Sequence, residues 1–281
     1  MNRAGLGGAV VACVFVVAAA GAPLLAPYDP GLLTGPPLAL PSAAHLLGTN
    51  DVGQDILSRL LYGVRTSLFI AGSVAGLSAL LSWAVGLAAG MSRLAETLLM
   101  PLTDLLLALP SLPLYLLTVT LVGPSLTNLV LTLALLSWPS FARIVRSLVL
   151  AVRAAPYVEA AQAMGATRLH VALRHLLPAT LDVLPTKLIL TVRFAVFTEA
   201  TLAFLGLGDP ATVSCGTMLS HAFDDPLLFT RPVWPWLVLP PALAVAGLVL
   251  TTVALSRSFE AWLAPGGSAG RQPRGAAPAA E

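Results

Sequence analysis

Long apolar runs separated by short polar stretches set the pattern of this chain. Six runs are long enough to cross a bilayer, near residues 6–26, 66–91, 98–122, 125–145, 180–205 and 234–256. A helix needs about 20 apolar residues to cross the hydrocarbon core. A backbone in that core must satisfy its own hydrogen bonds, so each run predicts a helix. A membrane β-barrel would instead show short segments of alternating polarity, and none stands out here. The expected fold class is all-α: a polytopic membrane protein with about six transmembrane helices.

Composition strengthens that reading. Apolar residues make up 57% of the chain and charged residues 10%, where a soluble domain carries about 25% charged. A surface this poor in charge needs a lipid bilayer over much of it. The net charge of +2 leaves no electrostatic footprint for nucleic acid. Arg3, the first apolar run and Ala20-Gly21-Ala22 together resemble a secretory signal with a small-residue cleavage site. We read the run as an uncleaved first span, because the first span of a polytopic protein can target the chain by itself.

Arginine placement predicts the orientation. With the N-terminus in the cytoplasm, ten arginines fall inside (Arg3, Arg93, Arg143, Arg146, Arg153, Arg168, Arg174, Arg257, Arg271, Arg274) and three outside (Arg59, Arg65, Arg231). Cytoplasmic loops carry the excess of basic residues, so both termini are expected in the cytoplasm. The long loop between spans four and five then faces the same side. Residues 1–65 read as the N-terminal span plus a proline-rich, extended extracytoplasmic connector. Residues 66–264 read as the core, with a cytoplasmic loop at 150–178. Residues 265–281 read as a disordered tail with nothing to bury.

That loop holds the most informative stretch, Tyr157-Val158-Glu159-Ala160-Ala161-Gln162-Ala163-Met164-Gly165-Ala166-Thr167, running on to Arg174-His175-Leu176-Leu177-Pro178. Residues 157–164 are good helix formers. Glu159 lies near the helix N-terminus, where a negative charge suits the dipole. Gly165 can take the left-handed conformation that ends a helix, and Thr167 can cap the next one. The small side chains of Ala160, Ala161 and Ala163 would let another surface approach closely. A short helix of this kind suits docking into a groove.

The same stretch resembles the Glu-Ala-Ala loop of ATP-binding cassette (ABC) importer permeases. Glu159, Ala160, Ala161, Gly165, Leu177 and Pro178 stand in that pattern's register. His175 departs from the general pattern, yet Arg174-His175-Leu176-Leu177-Pro178 resembles the dipeptide, oligopeptide and nickel branch. Leu47-Gly48-Thr49 through Ser58-Arg59, Ser137-Trp138-Pro139-Ser140-Phe141-Ala142-Arg143, Glu199 through Gly208, and Ser214-Cys215-Gly216-Thr217-Met218-Leu219 resemble the same branch. Asn50, Gln54 and Cys215 stand where Asp, Arg and Trp are commoner.

The resemblance implies a type I importer permease in a bacterial or archaeal cell membrane. It implies a second permease subunit, two ATPase subunits that receive the loop, and an extracytoplasmic substrate-binding protein. The implied substrates are dipeptides or oligopeptides, with nickel or a nickel chelate as the alternative.

Asp104, Asp182, Lys187, Arg193 and Glu199 fall in or near apolar runs. Charges there are costly and face a bundle interior, a partner or a water-filled path. Asp104, Arg193 and Glu199 are the candidates for a translocation path; helix packing and contact with a second permease are the alternatives. Asp104 and Glu199 also match positions commonly acidic in the resembled family. These charges motivate a reading from another class, an ion-coupled carrier or channel, which leaves the loop spacing unexplained. Cys13, Cys215 and the four histidines show no metal-binding spacing, so no metal or cofactor is expected. With no nucleophile–base set and no phosphate-cradling loop, the chain is expected to be a transport subunit and not an enzyme.

Overall fold

The computed structural model describes residues 3–226 and 228–263, with side chains from 7 to 226 and 228 to 256. The expected tail at 265–281 lies outside the described residues. Helix α1 (Arg3–Ala20) and the short α2 (Ala22–Leu25) take up the first run. Helix α3 (Ile56–Met91) begins ten residues before the run expected at 66. Its start is fixed by Asp55, whose side chain accepts from Ser58 N. The helix thus carries Arg59 and Arg65 on a polar extension.

Two runs are broken. Helices α4 (Arg93–Ala108) and α5 (Ser111–Val122) meet at 97°. The cause is local: Leu109 precedes Pro110 and is extended, at φ −84° and ψ 140°, the conformation a following proline favours. The run expected at 98–122 is therefore not one straight span. Helices α6 (Leu126–Ser137) and α7 (Pro139–Arg153) bend by 41° where Pro139 starts the second. Pro240 and Pro241 lie within one continuous helix.

The sequence between the fourth and fifth apolar runs forms α8 (Pro156–Ala163), α9 (Arg168–Val171), a π-helical turn (Ala172–Leu176) and α10 (Leu177–Leu181). Helix α11 (Leu184–Leu202) follows and ends in a second π turn (Ala203–Leu207). Helices α12 (Cys215–Phe223) and α13 (Trp234–Leu263) complete the chain. Among the described residues, three helices are long and apolar enough to cross a membrane unbroken; the two bent pairs and the shorter apolar stretch Gly7–Ala20 fall on the other expected runs. Among the described residues there is no strand, only one isolated bridge between Thr49 and Asp55.

Helix α3 is the axis of the fold and packs against α1, α4, α6, α7, α11 and α12. Its buried positions include Ser67, Ala71, Ala75, Ser78, Ser82, Gly86 and Gly90. Small residues at four-residue spacing let helix backbones approach where lipid supplies no hydrophobic drive. The approach is closest to α7: a Cβ on Gly86 would lie 2.6 Å from Val145 Cβ, and one on Gly90 2.5 Å from Val149 Cγ1. Serines bridge the same contact. Ser82 Oγ donates to Trp138 O at 3.0 Å and Ser137 Oγ donates to Ser78 Oγ at 3.0 Å. Ser82 thereby engages the backbone at the α6–α7 break, where helical bonding is interrupted.

Only 39%, 44% and 28% of the apolar windows of α3, α11 and α13 are buried within the chain. Leu80, Leu98, Leu121, Leu243 and Leu250 are each more than 60% exposed. An apolar surface this extensive must be covered by lipid or by other subunits.

Candidate functional site: a docking loop and membrane-embedded polar groups

The fold has two ends. At one, the connector, α12 and the starts of α3 and α13 converge; a Cβ on Gly48 would lie 3.0 Å from Trp236 Cδ1. At the other, the close of α3 meets α7 to α9, and Arg153 Nη1 donates to Gly90 O at 2.6 Å.

The connector end is tightly bonded. The connector was expected to be extended, but it folds back on residues 48–55. Thr34 N and Gly35 N both donate to Gly53 O, and Leu38 N donates to Asn50 O. Asp55 is buried and accepts from Ser58 N at 2.8 Å and Ser58 Oγ at 2.7 Å, with His45 Nδ1 at 3.0 Å from its other oxygen. Asn50 Nδ2 donates to Gln54 Oε1 at 2.9 Å, and Arg59 bonds the same oxygen. A neutral amide pair thus occupies the positions where the resemblance has an acid and a base.

The loop end is built differently. Helix α8 opens at Pro156, where a missing N–H costs nothing. It carries Glu159 in its first turn. Val158 is fully buried in a cluster with Phe141, Val145, Val149, Val171 and Leu176. Glu159, Ala160, Gly165 and Pro178 are exposed; Ala161 and Leu177 are half-buried. Gly165 has φ +91°. Its N–H donates to Gln162 O at 2.9 Å and that of Ala166 to Ala161 O at 3.0 Å. These two bonds define a Schellman end, which needs the left-handed residue that glycine supplies. Thr167 then caps α9, accepting from His170 N at 3.2 Å. Met164 is 83% exposed and Leu169 67%, beside the exposed Tyr157 and Leu173.

Pro178 explains the π turn before it. Lacking an N–H, it cannot bond the carbonyl one turn back. The register shifts by one residue and Leu177 N donates to Ala172 O. Beyond it the chain stays nearly continuously helical into α11. Trp83 Nε1 ties that passage to α3 through Thr180 Oγ1 at 2.8 Å.

The embedded charges bond different partners. Asp104 pairs with Arg143 of α7, and both side chains are substantially exposed. Glu96 pairs with Arg146. Glu199 is 1% exposed and accepts from Ser67 Oγ at 3.0 Å, with the Ser214 side chain also bonded to it. Arg193 is half-buried along α11. Asp104 and Glu199 thus sit in separate contacts, α4 with α7 and α3 with α11. Cys215, fully buried among Ala19, Val64 and Ala244, leaves no exposed aromatic at that position. Sequence reasoning passed over one group as a site: Lys187 is 6% exposed and its ammonium meets Ser137 O at 3.3 Å, at the α6–α7 break. A lysine within an apolar run was the available signal; the break it meets was not visible.

A mostly helical chain with several apolar spans, a close-packed axis and an exposed terminal loop defines a polytopic membrane permease. Residues 78–266 match the model of the family described as the binding-protein-dependent transport system inner membrane component. The chain is 38% identical over 258 residues to the di/tripeptide transport system permease protein DppC of Pseudomonas aeruginosa, covering 89% of this chain and 84% of that protein. It is 35% identical over 258 residues to the dipeptide transport system permease protein DppC of Haemophilus influenzae, covering 89% and 86%. The chain belongs to the family of binding-protein-dependent transport system inner membrane components: it is a multi-pass permease subunit of an ABC importer, with the type I permease fold.

Proposed function

We propose that this chain is one of two permease subunits that pass peptides inward, driven by two separate ATPase subunits and supplied by an extracytoplasmic binding protein. The observation that carries the coupling is the α8 loop. Its helix is held by buried Val158, ended by a glycine-dependent turn, and offers Glu159 and Ala160 outward. The two relatives are named for di- and tripeptides, which favours peptides over nickel.

The mechanism follows from continuity. ATP binding draws the two ATPase subunits together and moves the docked loop. Val158 transmits the displacement to α7, and the near-continuous passage through α9 and α10 transmits it to α11. Helix α11 packs on both α3 and α13, so its motion opens the path alternately to each side. Both termini lie in the cytoplasm in this reading. Arg93, Arg146, Arg153, Arg168 and Arg174 belong to the elements at the loop end, against Arg59, Arg65 and Arg231 towards the connector end. That distribution supports the assignment.

The test is purification from membranes followed by transport in liposomes. The chain should copurify with a second permease and two ATPases, and uptake should require ATP and loaded binding protein. Uptake by the chain alone, driven by an ion gradient, would overturn the reading and favour a carrier. Cysteine labelling at Ala166 should need permeabilised cells, while labelling at Ala43 should not.

A further inference from the structure

Lys187 lines a cavity of about 440 Å³ where the α4–α5 bend, α6, α7 and α11 meet. Pockets of this size hold small molecules. Its lining is mostly leucine, isoleucine and phenylalanine, with Ser111, Ser140 and Thr191 as polar members beside Lys187. The ammonium donates to Ser137 O and lies 5.2 Å from the centre of the Phe141 ring. An ammonium has three donors, so this carbonyl leaves donor capacity over. None of the ion pairs found among the described residues includes Lys187. Asp104 and Glu96, the acids of neighbouring α4, are engaged by Arg143 and Arg146.

A buried cation without a counter-ion is costly within an apolar layer. Capping accounts for part of its presence, because a cation suits the C-terminal end of α6. It does not account for the cavity beside the group. Lys187 is twelve residues before Glu199 on α11, about 18 Å along the axis towards the loop end.

We propose that Lys187 binds the carboxylate of a peptide in transit. The mostly apolar cavity beside it would take side-chain surface of that peptide, with Ser111, Ser140 and Thr191 available to its amide groups. This rests on the peptide-importer reading above. Every peptide with a free C-terminus carries one carboxylate, and an ammonium recognises that group through charge-assisted hydrogen bonds.

The experiment uses the complete complex in liposomes with loaded binding protein and a dipeptide. Two rates are measured: ATP-driven uptake per complex, and ATP hydrolysis stimulated by the binding protein. Lys187→Arg should keep most uptake. Lys187→Gln should lower it about tenfold, the scale of one lost hydrogen bond to a charged group. Lys187→Glu should lower it further. Stimulated hydrolysis should fall less than uptake in Lys187→Gln, because the docking loop is untouched; a parallel fall of both would reduce Lys187 to helix packing and overturn the proposal.

Wild-type uptake in Lys187→Gln would overturn the proposal. So would a fall in complex yield with unchanged uptake per complex, which would reduce Lys187 to a cap for α6. A wild-type complex that hydrolyses ATP but moves no peptide would remove the peptide reading, and this proposal with it.

Discussion

The connector end and the loop end of this permease are held together by opposite means. At the connector end, backbone and side-chain bonds join residues far apart in sequence, as from Thr34 to Gly53 and from Tyr28 N to Ser58 Oγ. Asp55 collects three donors in a buried setting. At the loop end, α8 has Val158 fully buried, while Met164 and Leu169 stand in the open. Both ends leave apolar side chains in the open, Leu33 and Leu46 at the connector as well as Met164 and Leu169 at the loop; what differs is the long-range bonding, dense at the connector and sparse around α8. Substitutions at the connector end should therefore act on stability, and those in the loop on coupling.

The largest expected effect is Asp55→Ala. It removes the α3 cap and leaves His45 Nδ1, Ser58 N and Ser58 Oγ without their acceptor. Losing a cap costs about 1 kcal/mol and each stranded buried group about 1–3 kcal/mol. Counting Ser58 N as the cap, a total loss of at least about 3 kcal/mol should lower membrane abundance and the thermal unfolding midpoint of the purified complex. Asp55→Asn, which keeps one carbonyl oxygen, should fall between. Wild-type stability in Asp55→Ala would remove the contrast between the ends.

Gly165→Val should leave abundance unchanged. A Cβ there meets nothing within 4 Å, so the cost is backbone strain of about 1 kcal/mol or more at positive φ, confined to an exposed loop. ATPase association and uptake should fall at matched abundance. Glu159→Lys should do the same by reversing an exposed charge, with no change in melting. Wild-type uptake in both variants would mean that the loop does not couple.

Much of this was legible in the sequence because it is local. Apolar run length gives the spans, and Gly165 and Thr167 mark the loop's turn because φ preference and capping act over a few residues. The right angle at Pro110 was not legible, since its direction depends on what α5 packs against. The true start of α3 was missed because Asp55 acts as a cap through a polar segment that hydropathy ignores. The partners of Asp104, Glu199 and Lys187 were hidden for a different reason. Each lies on another helix, and which helix faces it is decided by the small-residue axis of α3 and by where α6 breaks.

The smallest effect tests whether the connector end is a cooperative network. Asn50 and Gln54 stand where an acid and a base are commoner in similar permeases, and here their amides bond directly at 2.9 Å. Asn50→Asp alone keeps the acceptor for Gln54 N and Val52 N. It also sets a carboxylate against Gln54 Oε1, acceptor facing acceptor. Gln54→Arg alone removes the oxygen that Arg59 bonds and places two cations side by side. Each single change should cost about 1 kcal/mol. Together they create an ion pair, because the new guanidinium then faces a carboxylate. The double variant should therefore be more stable than the sum of the singles predicts, by about 1 kcal/mol, within the range measured for residues in contact. Thermal unfolding midpoints of the four complexes measure that coupling. Simple additivity would mean that the two amides are independent, and that this end resists change through its backbone bonds alone.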